Sequence, residues 1–159
     1  MPRADRLADS RQRSDSGLTL LELLISVALL GILLALAVPG YSQYRNRVRS
    51  AQAASDIGAL TNSIDQYYAD HHQLPGALSD LPSAPTADPW GQPYVYYNVS
   101  DNGKGGARKD KALNPINSDY DLYSKGPDGV SKPQISQKDS LDDIIRASNG
   151  RFIGVAADF

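Results

Sequence analysis

The stretch Gly17-Leu18-Thr19-Leu20-Leu21-Glu22-Leu23-Leu24-Ile25 decides how this chain is read. Ahead of it lies a polar leader, residues 1–17, with four arginines and three aspartates and hence a charge of +1. Behind it an apolar run continues to Val38, interrupted only by small or hydroxylated residues. Glu22 is the only charge between Leu18 and Tyr44. A carboxylate in a membrane helix costs roughly 2.5–3.5 kcal/mol at the helix centre and less near an end. Such a residue calls for a partner. A new α-amino group, made by cutting between Gly17 and Leu18, would supply one.

An ordinary signal peptide is cut after its apolar segment and loses it. Here a cut after Gly17 would precede the segment, and the mature chain would keep it. From Leu23 to Tyr44 there are 22 uncharged residues, enough to span a bilayer at about 1.5 Å per residue. Arg45, Arg47 and Arg49 follow. Beyond them Ala53, Ile57, Leu60, Ile64 and Tyr67 recur at helical spacing, an amphipathic stripe that must pack on something. The pattern predicts one long helix from Leu18 to about His72. Pro39 removes a backbone donor inside it and Gly40 softens the same spot. A static kink and a functional melting point are both open there.

Five prolines between residues 73 and 93 make a regular helix unlikely in that connection. Tyr94–Tyr97 and Tyr120–Tyr123 are aromatic and β-branched enough for strands, and Arg151–Val155 is a third candidate. Asn98–Lys111 reads as a polar loop. Ser140-Leu141-Asp142-Asp143 reads as a helix cap with acids in the first turn, before Ile144-Ile145-Arg146 and a stop at Asn149-Gly150. The fold class expected is α+β: a long N-terminal helix, membrane-spanning in its first half, packed through its second half on a small antiparallel sheet with a C-terminal loop. The expected segments are a leader at 1–17, an apolar helix at 18–44 and a globular part at 45–159.

The whole chain carries a net charge of −2, and without the leader −3. No basic surface for nucleic acid is indicated. There is no cysteine, so neither a disulfide nor a thiolate metal site can form. His71 and His72 are adjacent and point about 100° apart on a helix, a poor metal pair. No nucleophile elbow or phosphate loop is present.

The N-terminal pattern resembles the type IV pilin superfamily: glycine before the cut (Gly17), an apolar first residue (Leu18, where most members have phenylalanine), glutamate fifth (Glu22) and proline twenty-second (Pro39). Two later segments, Asp88-Pro89-Trp90-Gly91-Gln92-Pro93-Tyr94 and Tyr120-Asp121-Leu122-Tyr123-Ser124-Lys125-Gly126-Pro127-Asp128-Gly129, are similar to those of the major pseudopilins of type II secretion. The resemblance implies a non-enzymatic structural subunit. A prepilin peptidase would cut after Gly17 and methylate Leu18. The subunit would wait in the bacterial inner membrane with its globular part in the periplasm, then assemble into a helical filament with minor pseudopilins and an inner-membrane platform. A type IV pilin for adhesion, motility or DNA uptake is one alternative. A membrane-anchored calcium-binding module or enzyme is another.

The resemblance also implies calcium in the C-terminal loop. Lys125 and Val130 would offer carbonyls, Asp128, Asp142 and Asp143 carboxylates, with Asp139 as an alternative ligand. The stretch from Asp128 to Asp142 is longer than the usual family loop. Helix capping by Asp142 and Asp143 is the competing reading.

Overall fold

The computed structural model describes residues 19–82 and 85–159. The chain divides into two compact units, Met1–Tyr41 and Ser42–Phe159. A single helix, α1 (Leu20–His71), contributes to each of them. In the first unit its leucines, isoleucines and valines are solvent-exposed. By length and composition this helix can cross a membrane. An apolar surface of that extent marks a membrane or a protein partner. The helix is assigned without interruption through Pro39.

In the second unit the predicted stripe is the core. Ala53, Ile57, Leu60 and Ile64 are completely buried and pack with Leu81, Tyr94, Tyr120, Leu122 and Ile144. The helix ends where His72 turns to a positive φ of 55°. His71 Nδ1 donates to the Tyr67 carbonyl at 2.9 Å, and the two rings stack. The pair closes the last turn.

The sheet is an antiparallel meander of β1 (Val95–Asn98), β2 (Tyr120–Ser124), β3 (Ile144–Ala147) and β4 (Phe152–Val155), in that spatial order. Between β1 and β2, inside the expected loop, α2 (Val99–Asn102) forms one turn capped by Asn98. Strands β3 and β4 are joined by the four-residue connection 148–151, in which Ser148, Asn149 and Gly150 turn the chain with φ of 52°, 54° and 87°.

The chain is thus α+β, as the sequence suggests, but β3 corrects one reading. Ile144–Ala147 is not a helix capped by Ser140-Leu141-Asp142-Asp143. The 3₁₀ turn Lys138–Ser140 precedes it, and the segment pairs with both neighbours. All four residues of β3 are buried because the sheet is covered on both faces. Ile144 faces α1. Ile145 and Ala147 face a second cluster with Ile116, Ile135 and Ala156. A strand buried on both sides loses the polar–apolar alternation that would identify it.

Two buried arginines tie the connections to this sheet. Arg146 in β3 forms a two-pronged pair with Asp119, Nη1 to Oδ1 at 2.9 Å and Nη2 to Oδ2 at 2.6 Å, and stacks on the Tyr120 ring at 3.9 Å. Burial alone would raise the Asp119 carboxyl. The Arg146 hydrogen bond, the Tyr120 N–H and the Arg146 charge outweigh it and hold the pKa below the usual 3.8. A depressed carboxyl stabilises the fold above its unfolded pKa and stops doing so as pH falls through the folded one. The stability gap between wild type and Asp119→Asn should therefore be full above about pH 4 and close below it, with a neutral-pH size of about 1–3 kcal/mol. Melting of both proteins between pH 2 and 7 checks this.

Candidate functional site

Two regions carry the residues singled out from the sequence. The first is the start of α1. Gly17 and Leu18 lie outside the described residues. Thr19, just beyond them, is the helix cap: its Oγ1 accepts from the Glu22 N–H at 3.2 Å. Glu22 reaches back to the Thr19 N–H and hydroxyl, each at 3.4 Å. This is a reciprocal capping box. The signal Thr-x-x-Glu stands in the sequence, and Thr19 is the residue that a reading focused on Glu22 misses. Both Glu22 contacts are long and the side chain is exposed. Its carboxylate therefore keeps acceptor capacity for a cationic group, while its position in the first turn suits the positive end of the helix. Pro39 sits within α1, well past this cap.

The second region is the loop from Lys125 to Asp143, between β2 and β3. Gly126 has a φ of 66° and lies so close to Asp142 that a Cβ there would run into the Asp142 carbonyl. This approach brings Asp142 to the turn holding Lys125, Asp128 and Val130. Asp128 is exposed, and its Oδ1 accepts from the Val130 N–H at 2.7 Å. Burial pushes the Asp142 carboxyl upward, and the charges of Asp128 and Asp139 add to the push, against bonds from the Asp142 and Asp128 N–H groups. The Asp128 and Asp142 carboxylates are near enough to repel, a repulsion that a cation would relieve. Among the described residues, however, no group of three or more His, Asp or Glu side chains is arranged to hold a metal.

Asp143, expected beside Asp142, goes elsewhere. It is completely buried and its Oδ2 is 2.6 Å from Arg108 Nη2 and 2.6 Å from the Ser131 hydroxyl. It is neither a helix cap nor a member of the Asp128–Asp142 pair. Asp139 lies 3.8 Å from Lys132 Nζ in an exposed pair. The Asp142 carboxyl thus stays near Asp128, whereas Asp143 is engaged by Arg108 and Ser131.

The segments quoted for their resemblance form the scaffold under this loop. Asp88 turns the chain by accepting at Oδ1 from the N–H groups of Trp90 and Gln92, at 3.0 and 2.9 Å. Its Oδ2 accepts from the Ser124 hydroxyl, whose oxygen accepts from the Gly126 N–H. The Asp-Pro-Trp-Gly turn therefore holds the start of the loop. Trp90 packs against the main core.

A long helix with an exposed apolar first part, packed through its second part on a four-stranded meander, defines a pilin-type subunit. The model of the prokaryotic N-terminal methylation motif matches residues 12–38. The type II secretion system core protein G of Escherichia coli K12 is 33% identical over 143 residues, covering 77% of this chain and 86% of that protein. The proteins of the same name from Aeromonas hydrophila and Pseudomonas aeruginosa are 31% and 30% identical over 140 residues. They cover 75% of this chain and 87% and 88% of their own length. No solved structure matches. The chain belongs to the type II secretion system core protein G family.

Proposed function

We propose that this chain is a structural subunit that polymerises into a pseudopilus and so drives protein export by a type II secretion system. The observation that carries the reading is the exposed apolar part of α1 joined to a methylation motif, in a chain of this family. In the membrane the apolar residues face lipid. In a filament the same residues pack on copies of themselves. Leaving lipid for another apolar helix brings little hydrophobic gain, so packing and polar pairing must supply the order. Glu22 supplies the pairing by meeting the amine of a neighbour's Leu18, set free when a prepilin peptidase cuts after Gly17. The subunit waits as a single-pass inner-membrane protein with its second unit in the periplasm, and assembles there with minor pseudopilins and the inner-membrane platform. Removal of the gene from its host should abolish export through the type II machinery; unchanged export would count against the reading.

Calcium belongs to the same proposal. Asp128 and Asp142 with the carbonyls of Lys125 and Val130 would hold the ion, with water completing six to eight oxygens. The ion would offset the repulsion between the two carboxylates. With two acidic ligands the expected affinity is that of extracellular modules, roughly 10⁻⁴–10⁻³ M. At a concentration ten times Kd the stabilisation is about 1.4 kcal/mol, from RT ln(1 + [L]/Kd). Thermal melting of the full chain in detergent, with calcium or chelator, measures it. Asp128→Ala should abolish the calcium-dependent gain. Identical melting of the wild type across millimolar calcium would remove the site.

A further inference from the structure

Arg108 comes from the connection between β1 and β2, where the sequence shows only a polar loop. Its side chain is buried with 4% of its surface exposed, and it makes a 2.6 Å pair with Asp143, whose side chain is fully enclosed. The same guanidinium donates through Nη1 to the Ser131 hydroxyl and to the Lys132 carbonyl. It stacks over the Tyr123 ring at 4.3 Å. Its backbone N–H donates to Asp121 Oδ2, and the other Asp121 oxygen accepts from Asn117. Next to it, Lys109 donates to the Pro133 carbonyl at 2.8 Å and accepts from the Ile135 N–H at 2.9 Å. Ser140 then ties Lys132 back to the end of the loop, accepting from its N–H at 2.7 Å. One residue thus bonds both the middle of the loop and its end.

We propose that the Arg108 guanidinium is the cation that closes the C-terminal loop of this chain, and that the loop holds its conformation without calcium. The extra length between Asp128 and Asp142 has a use in this arrangement: it carries Ser131, Lys132 and Pro133 across to the Arg108 segment. Asp143 already has a counter-charge within hydrogen-bonding distance. Its Oδ1 is buried without a partner, but a divalent ion drawn to that oxygen would meet the guanidinium on the same carboxylate. Any calcium held by Asp128 and Asp142 is then an addition to a loop that is already shut. This inference is independent of filament assembly.

The test is hydrogen exchange of the full chain in detergent, in chelator and in millimolar calcium, read at the amides of Lys132, Ile135 and Asp143. In the wild type these should already be strongly protected in chelator, with calcium adding no more than the roughly tenfold that its binding to the folded state supplies. Free exchange in chelator, with protection appearing only on adding calcium, would overturn the proposal. Arg108→Met should lose protection in chelator by roughly a hundredfold or more, as expected for one partner of a buried pair removed. Unchanged protection in Arg108→Met would equally overturn it. Should that variant not fold, the wild-type comparison still decides. Asp142→Asn separates the two ideas: it should erase the calcium-dependent shift in melting and leave protection in chelator intact.

Discussion

Glu22→Ala is expected to leave the cut after Gly17 largely intact and to lower filament yield at least about tenfold, since roughly 1.4 kcal/mol lost from each subunit contact shifts its equilibrium by that factor. Removing the carboxylate removes the counter-charge that a neighbour's amine would need in apolar surroundings. The capping box offers a second cause for any defect, because Glu22 also reaches back to Thr19. Thr19→Ala separates the two. It weakens the cap by about 1 kcal/mol and keeps the carboxylate. If pairing matters, Thr19→Ala assembles nearly as well as the wild type and Glu22→Ala does not. Equal defects in both variants, measured as chain recovered in the sheared filament fraction, would assign Glu22 to capping alone.

Leu60→Ala should produce the largest loss of stability in the second unit. Leu60 is fully buried at the centre of the stripe, between Ile57 and Ile64. Truncation of such a leucine costs about 2–5 kcal/mol, set by how far the site can collapse around the cavity. Its neighbours are a helix backbone on one side and a sheet covered on both faces on the other, so little collapse is available. The melting midpoint should fall by roughly 4 °C for each kcal/mol lost. Exposed positions of the same helix, such as Gln66, should tolerate alanine with changes within about 0.5 kcal/mol. A drop of a degree or less for Leu60→Ala would contradict the packing of α1 on the sheet.

The elements read correctly from sequence are those with an undisturbed local pattern. The stripe from Ala53 to Tyr67 keeps one period over four turns. Tyr94–Tyr97, Tyr120–Tyr123 and Arg151–Val155 are short β-prone runs beside turn residues. The segment from Ser140 to Arg146 carries two local patterns at once: a hydroxyl followed by two acids, which suits a helix start, and an Ile-Ile pair, which suits a covered strand. Tertiary pairing with β2 and β4 decided between them, and nothing within the segment announces those partners. Arg108 was hidden for a similar reason. It sits in a polar, glycine-containing stretch where an arginine is ordinarily solvated, and its burial depends on Asp143, 35 residues away. Asp142 and Asp143 lie in the turn just ahead of β3, and their side chains part there. Asp142 approaches Gly126 and the Asp128 turn, whereas Asp143 is drawn to Arg108.

The pseudopilus reading is tested most directly by the intact mass of the chain recovered from filaments sheared off cells that run a type II secretion machinery. The expected result is filaments built of a subunit that begins at Leu18 and carries one added methyl group. A chain that stays unpolymerised in the membrane fraction with residues 1–17 still attached, or one that begins after Val38 and has lost the apolar helix, would contradict it.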